Sequence, residues 1–109
     1  MKTRLTERSE RKSLSEFDHH TNYLKMFYIY ILKSSKDKDL YIGFTNNLDR
    51  RVKEHNNGLV PSTESRRPFE LIYCEGYKSE KDAHKREENL KLRSRAFAQL
   101  KKRIMDSLE

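Results

Sequence analysis

The 109-residue chain has room for one compact domain with a modest core, because 34% of its residues are hydrophobic and 38% are charged. No apolar run approaches the roughly 20 residues that a membrane-spanning helix needs, so we expect a soluble, cytoplasmic protein. The formal net charge of +7 favours a polyanionic partner, with nucleic acid ahead of acidic lipid, although many small proteins are basic for solubility alone. A single cysteine, Cys74, excludes an intrachain disulfide and a cysteine-rich zinc site.

Residues 1–25 differ in composition from the rest of the chain. They are rich in Lys, Arg, Glu and Ser, and their few apolar residues follow neither a helical nor a strand period. We therefore predict a polar, basic and disordered tail over residues 1–25, followed by one folded domain over residues 26–109. The tail carries only +2 of the net charge, so the predicted domain is itself basic.

A β-hairpin is predicted at the start of this domain. Residues 27–32 are continuously apolar, aromatic or β-branched, which indicates a strand that is covered on both faces. A polar turn at residues 34–39 leads to a second short strand at residues 40–43. So short a connection favours antiparallel pairing of the two strands.

A helix of about three turns is predicted after the hairpin. Thr45 or Asn46 is expected to cap its N-terminus, and the apolar residues Leu48 and Val52 are four positions apart. Gly58 is expected to end the helix, since glycine is favoured just beyond a helix C-terminus.

A loop and a third strand follow. Residues 59–68 contain two prolines and end near Arg66 and Arg67, which predicts a mobile basic loop. Residues 69–77 are predicted to form the third strand. Strict alternation there places Phe69, Leu71 and Tyr73 on one face and Ile72 and Cys74 on the other, with Cys74 expected as a small core residue.

Two helices complete the predicted domain. Ser79 is expected to cap the first, in which Ala83, Glu87 and Leu90 share one stripe, so that Glu87 faces inward. Ser94 is expected to cap the last helix. The predicted order is β-β-α-β-α-α, with a three-stranded sheet that is too small to stand without its helices.

Two tripeptides and two later residues occur in a characteristic order. They are Tyr28-Ile29-Tyr30, Tyr41-Ile42-Gly43, Arg51 eight residues after Gly43, and Glu87 thirty-six residues after Arg51. With this set, the chain from residue 26 to about residue 104 resembles the GIY-YIG nuclease superfamily, and within it the small stand-alone UPF0213 type. The resemblance implies an α+β fold, with a three-stranded antiparallel sheet flanked by helices.

The resemblance also implies an active site that cuts DNA with one divalent metal ion, Mg²⁺ or Mn²⁺. Glu87 would hold the metal. Tyr41 would be the phenol nearest the attacking water, as general base or as positioner, and Tyr30 would orient phosphate or water. Arg51 would neutralise charge on the phosphate oxygens in the transition state, and His55, one turn along the same helix face, would assist proton transfer or phosphate binding.

We see no separate DNA-recognition module in the sequence, so phosphate contacts without sequence readout are expected. The residues predicted to make them are Arg50, Lys53, Arg66, Arg67, Lys85 and Arg93. The sequence thus predicts a monomeric, metal-dependent DNA endonuclease of low sequence specificity, with a role in DNA repair or processing.

Two other classes of protein stay open at this stage. One is a nucleic-acid-binding module that keeps the fold without catalysis, and the other is a protein-interaction domain. Taken singly, Tyr30 and Tyr41 are ordinary strand residues, and Glu87 is placed to pair with Lys91 one helical turn away. The ordered set favours the enzyme.

Three positions depart from the superfamily pattern. Tyr28 stands where the first signature nominally has glycine, and Phe44 follows the second signature where larger members often have lysine. Larger members also often carry an asparagine beyond the metal glutamate, whereas here no asparagine occurs after Asn89.

Overall fold

The structure is a computed structural model that describes residues 25–109. Apart from residue 25, the tail predicted over residues 1–25 lies outside the described residues. The strands are β1 (Phe27–Ser34), β2 (Leu40–Thr45) and β3 (Phe69–Tyr77), and the helices are α1 (Leu48–Asn56), α2 (Glu80–Leu92), α3 (Ser94–Arg103) and α4 (Met105–Leu108). A short 3-10 helix, Glu64–Arg66, lies before β3. Within residues 25–109, no helix is both long and apolar enough to cross a membrane.

The three strands form one antiparallel sheet in the order β2-β1-β3, which confirms the predicted fold class. The central strand β1 is covered on both faces, as its continuous apolar run predicts. Ile29 and Ile31 face a core that α2 and α3 complete, whereas Tyr30 and Leu32 face α1. These four side chains are at most 1% exposed, and burial of each aliphatic one stabilises the fold by roughly 1.5–3 kcal/mol.

Gly43 is the point at which the two signature strands approach most closely. Tyr30 and Gly43 are paired across β1 and β2, and the Tyr30 ring lies over the glycine. A Cβ atom at position 43 would lie 2.3 Å from Tyr30 Cζ, which no real contact allows. The glycine of the second signature is therefore required by the tyrosine of the first.

The helix boundaries agree with the sequence at two positions and differ at a third. Gly58 has a φ of 76° just beyond α1, and Ser79 caps α2 by accepting a hydrogen bond from the Asp82 backbone N–H, both as predicted. The predicted cap of α1 is wrong, because Asn47 accepts the hydrogen bond from the backbone N–H of Arg50.

The last predicted helix is divided into two. Its N-cap is Arg93, so the prediction of Ser94 is wrong by one residue, and the chain breaks at Ile104 before continuing as α4. Ile104 is itself 8% exposed and packs in the core on the α2 side of the sheet. The break thus lies at a buried contact.

The predicted alternation along β3 is also wrong. Ile31 pairs with Tyr73 and Leu32 with Leu71, so Ile72 is an extra residue in a β-bulge. As a result, Ile72 and Tyr73 both pack against the core on the α2 side. Cys74, predicted to lie in the core, is exposed on this outer strand.

Candidate active site

The structure brings Tyr30, Tyr41 and His55 together on the α1 side of the sheet. Tyr30 comes from β1, Tyr41 from β2 and His55 from the last turn of α1. The Tyr41 and His55 rings are 5.0 Å apart between centroids, and the two phenol rings are 6.3 Å apart. The Tyr30 hydroxyl lies 2.9 Å from His55 Nε2. Alternation along two paired strands is enough to align these phenols.

His55 is fully buried and both of its ring nitrogens have partners. Its Nδ1 lies 2.8 Å from Thr63 Oγ1, and the edge of the Phe69 ring covers the imidazole. Burial, and next the positive charge of Arg51, lower the pKa of His55, so the ring is neutral at neutral pH. Thr63 is a residue that sequence reasoning missed, because nothing in a loop sequence indicates which residue returns to the site.

Arg51 supplies the positive charge of the site. Its Nη1 donates to Glu54 Oε1 at 2.9 Å, and its guanidinium also contacts the Tyr30 phenol. The hydrogen bond to Glu54, followed by that to Tyr30, raises the pKa of Arg51. A surface depression beside it is lined by Phe44, Thr45, Asn46, Arg50 and Arg51. A phosphate in this depression would meet the guanidinium directly.

Burial raises the pKa of Tyr30 to about 12. The hydrogen bond from Arg51 offsets part of this effect, while electrostatic interactions with Tyr41 and Glu87 raise the pKa further. Tyr30 therefore keeps its proton at neutral pH. Glu87 on α2 is thus close enough to the Tyr30 phenol to influence its pKa.

Glu87 is partly buried, as its place in the stripe of α2 predicts, and its carboxylate is 18% exposed. Lys91 Nζ lies 3.0 Å from one carboxylate oxygen, and His84 Nδ1 lies 3.7 Å from the other. The pairing with Lys91 that the sequence left open is thus present. Among the described residues, no group of three or more His, Cys, Asp or Glu side chains gathers as metal ligands.

An open cleft of about 640 Å³ lies beside Glu87 on α2. Its lining residues are Lys81, His84, Lys85, Glu87, Glu88, Lys91 and Leu92. Glu87 and its exposed neighbour Glu88 are the two carboxylates that line this open cleft. Such a cleft suits Mg²⁺ or Mn²⁺, because these ions keep several waters and use one or two carboxylates together with substrate phosphates. The donor set therefore fits a hydrated divalent cation and does not fit zinc.

An aromatic stack joins the strand of the second signature to the helix of Glu87. The Phe44 and His84 rings are stacked with their centroids 3.9 Å apart, and Phe27 stacks on Phe44 at 6.3 Å. The His84 side chain is 53% exposed. Phe44, which departs from the superfamily pattern, thus contacts α2 through His84. The sequence did not predict this contact.

The residues predicted to contact phosphates fall into three groups. Arg50 and Lys53 are exposed on α1, where they pair with carboxylates of the same helix. Lys85 lines the cleft beside Glu87, and Arg93 is exposed at the start of α3. The remaining two lie in the loop before β3: Arg66 pairs with Asp37 at 2.7 Å, and Arg67 donates to a backbone carbonyl.

Residues 26–102 match the family model described as the GIY-YIG catalytic domain. The chain belongs to the GIY-YIG family, which is a nuclease family. More particularly, it is similar to small proteins named UPF0213. One from Clostridium perfringens (strain 13 / Type A) is 46% identical over 67 residues, which cover 61% of this chain and 71% of that protein.

Two further relatives are also named UPF0213 proteins. A UPF0213 protein of Syntrophus aciditrophicus (strain SB) is 45% identical and covers 63% of this chain and 80% of its own length. One of Natronomonas pharaonis is 43% identical, and the match covers 63% of this chain and 81% of that protein. No solved structure matches the chain.

Proposed function

We propose that this protein is a metal-dependent endonuclease that hydrolyses phosphodiester bonds of DNA with low sequence specificity. The observation that carries the proposal is the meeting of Tyr30, Tyr41 and Arg51 on one face of the sheet, with Glu87 acting on the same phenol. A role in DNA repair or processing, a cytoplasmic location and a monomeric state belong to the same proposal.

The two phenols have different proposed roles. Tyr30 is buried and keeps its proton, so it acts as a hydrogen-bonding group that holds Arg51. Tyr41 is only partly buried, and it is the phenol that would meet the attacking water, as general base or as positioner. Water then forms the new bond to phosphorus, and the bond to the leaving sugar oxygen breaks.

Arg51 is proposed to bind the phosphate oxygens as their negative charge increases. Its guanidinium is held by Glu54 and Tyr30 before substrate arrives, so little reorganisation is needed during the reaction. His55 is proposed to orient Tyr30 from the buried side, since both of its ring nitrogens are engaged within the protein.

Glu87 is proposed to hold the Mg²⁺ or Mn²⁺ ion. When bound, such an ion supplies positive charge that polarises the phosphate and favours ionisation of a bound water. The Lys91 pair is a small obstacle to binding, because a partly exposed i, i+4 ion pair stabilises a helix by only about 0.3–0.5 kcal/mol.

A nucleic-acid-binding module without catalysis is the second candidate. The contact between Lys91 and Glu87 favours it, since a paired carboxylate needs no metal. Both candidates use the same basic surface, for which we propose Arg50, Lys53, Arg66, Arg67, Lys85 and Arg93. They differ in whether DNA is cut.

A nicking assay on supercoiled plasmid with Mg²⁺ or Mn²⁺ tests the proposal. We expect Glu87→Gln and Arg51→Ala each to reduce the cleavage rate by about 100-fold or more, because each removes a charge that stabilises the transition state. DNA binding should persist in Glu87→Gln. Glu70→Gln, which changes an exposed carboxylate on β3 that does not line the cleft, is the matched control and should cut at the wild-type rate.

Two results would contradict the enzyme. One is DNA binding without cleavage at any divalent metal concentration, which favours the second candidate. The other is cleavage that survives Glu87→Gln unchanged, which removes Glu87 from the metal site.

A further inference from the structure

A chain of hydrogen bonds connects the Tyr30 phenol to the loop before β3. The Tyr30 hydroxyl lies 2.9 Å from His55 Nε2, His55 Nδ1 lies 2.8 Å from Thr63 Oγ1, and Thr63 Oγ1 lies 3.4 Å from the Val60 carbonyl. Tyr30 is 1% exposed, while His55 and Thr63 are fully buried. Solvent water therefore has no access to replace any partner in this chain.

The donors in this chain can be assigned from the chemistry of its two ends. The buried Tyr30 hydroxyl needs an acceptor, and its other neighbour, the Arg51 guanidinium, can only donate. His55 Nε2 must therefore accept from Tyr30. The proton of the neutral imidazole is then on Nδ1 and is donated to Thr63 Oγ1.

The far end of the chain agrees with this assignment. The Val60 carbonyl can only accept, so the Thr63 hydroxyl is free to donate to it while accepting from His55. If His55 Nε2–H instead donated to Tyr30, the buried Tyr30 hydroxyl proton would have no acceptor, at a cost of about 1–3 kcal/mol. Among residues 25–109, no buried side-chain nitrogen or oxygen lacks a hydrogen-bond partner.

We propose that Thr63 is a positioning residue of the active site, which fixes His55 in the Nδ1–H tautomer and thereby directs the Tyr30 lone pairs toward Arg51. The tautomer follows from the hydrogen bonds alone. The effect on cleavage rests on the proposed function. If the tautomer reversed, His55 Nε2–H would donate to Tyr30 and compete with Arg51 for the same oxygen.

The loop that carries Thr63 is held by the end of β1 and the turn that follows it. Ser34 Oγ donates to the Arg66 carbonyl at 2.6 Å, and the Ser35 backbone N–H donates to the Pro68 carbonyl at 2.8 Å. Ser34 is fully buried. A loop that lies outside both sequence signatures thus orients the guanidinium of the site.

The first experiment measures the tautomer by ¹⁵N NMR of the imidazole groups, with the His55 signals assigned from a His55→Gln variant. We expect wild type and Thr63→Ser to hold a protonated Nδ1 and an unprotonated Nε2 at neutral pH. Thr63→Val, which keeps the shape and removes the hydroxyl, should shift the population toward Nε2–H. A wild-type His55 in the Nε2–H form would overturn the proposal, whatever the nuclease activity.

The second experiment compares plasmid cleavage by the same variants. Thr63→Val should lower kcat roughly 10- to 100-fold with a smaller change in KM, because misplaced catalytic groups cost about this much. Thr63→Ser should stay within about threefold of wild type. Tyr77→Phe, which removes a partly buried hydroxyl hydrogen bond elsewhere on the sheet, is the control for lost stability.

The outcomes separate this proposal from the proposed function. An equal loss of kcat in Tyr77→Phe would overturn the positioning role. The expected tautomers together with no cleavage in any variant would count against the endonuclease and leave the assignment of His55 supported. If Thr63→Val does not fold, wild type and Thr63→Ser still decide the tautomer.

Discussion

Tyr30 and Tyr41 illustrate how burial separates two side chains of the same type. Both lie on the α1 side of neighbouring strands, with ring centroids 6.3 Å apart. Tyr30 is 1% exposed and its pKa is raised to about 12, first by burial, so it serves as a hydrogen-bond donor. Tyr41 is only partly buried. The sequence predicted both phenols as site residues, and their different burial distinguishes their roles.

The first prediction concerns the close contact between Gly43 and the Tyr30 ring. Replacing Gly43 with Ala places a methyl group 2.3 Å from Tyr30 Cζ, and the buried ring has no space into which it can move freely. We expect a loss of about 1–3 kcal/mol in the free energy of unfolding, which is typical of overpacking, together with reduced cleavage. Urea denaturation followed by far-UV circular dichroism measures the loss.

Gly76→Ala is the matched control for this substitution. Gly76 is also a strand glycine, but it is exposed, and an added Cβ meets side-chain atoms of Met26 and Tyr28 at 3.0 and 3.1 Å. Because alanine reduces the entropy of the unfolded chain, we expect a change near zero or a small gain in stability. Equal losses at both positions would contradict the role of the Tyr30 ring.

At the element scale, α2 is held against both outer strands of the sheet. On β2, Phe44 stacks on His84. On β3, Glu75 accepts from Arg86 Nε at 2.9 Å and Nη2 at 3.0 Å, and from the hydroxyl of Tyr73 at 2.6 Å. Since α2 carries the proposed metal residue, these two contacts set the distance between that carboxylate and the signature strands.

The second prediction concerns Glu75. Burial raises the pKa of this carboxyl, but the hydrogen bonds from Arg86, Tyr73 and Tyr77 outweigh it, and the net pKa is lowered. We expect Glu75→Gln to reduce the free energy of unfolding by about 1–3 kcal/mol at pH 7. Because the folded-state pKa is the lower one, the difference from wild type should decrease as pH falls below roughly 4.

The measurement is urea denaturation of both proteins between pH 3 and pH 7. Asp49→Asn is the control, since Asp49 and its partner Lys53 are 81% and 70% exposed, and it should change stability by less than about 0.5 kcal/mol. A Glu75→Gln difference that grows toward low pH would contradict the assigned direction of the pKa shift.

These elements show where sequence reasoning succeeds and where it ends. The position of Glu87 between Ala83 and Leu90 was predictable because helical periodicity is a local property. The bulge at Ile72 was not, because it depends on how β3 pairs with β1. The contact between Thr63 and His55 requires the loop to fold back onto α1. The predicted mobility of that loop took no account of its hydrogen bonds to Ser34 and Ser35.

At the scale of the whole molecule, the excess of 24 Lys and Arg over 17 Asp and Glu does not translate directly into free basic groups. Lys53 pairs with Asp49 on an exposed helix face, where such a contact is weak and readily exchanged for a phosphate. Arg66 is held differently: two of its nitrogens contact Asp37, and its guanidinium lies over Phe69. The predicted phosphate contacts should therefore contribute unequally.

The third prediction tests this inequality through the salt dependence of DNA binding. Each phosphate contact on duplex DNA contributes about 0.9 to the slope of log K against log salt concentration. We expect Lys85→Gln, beside the Glu87 cleft, to weaken binding equally for unrelated sequences and to reduce the slope by about this amount. Arg66→Gln should reduce the slope by less than Lys85→Gln does, because the charge of Arg66 is already matched by Asp37.

Fluorescence anisotropy of a labelled duplex, titrated at several NaCl concentrations in the Glu87→Gln background with EDTA, measures the slope without cleavage. The Arg66→Gln control also lowers net charge by one, so the comparison separates location from total charge. Equal slopes for the two variants would mean that affinity follows net charge alone. Weak binding that hardly responds to salt in the parent protein would instead favour a protein-interaction domain, because phosphate contacts necessarily release counterions.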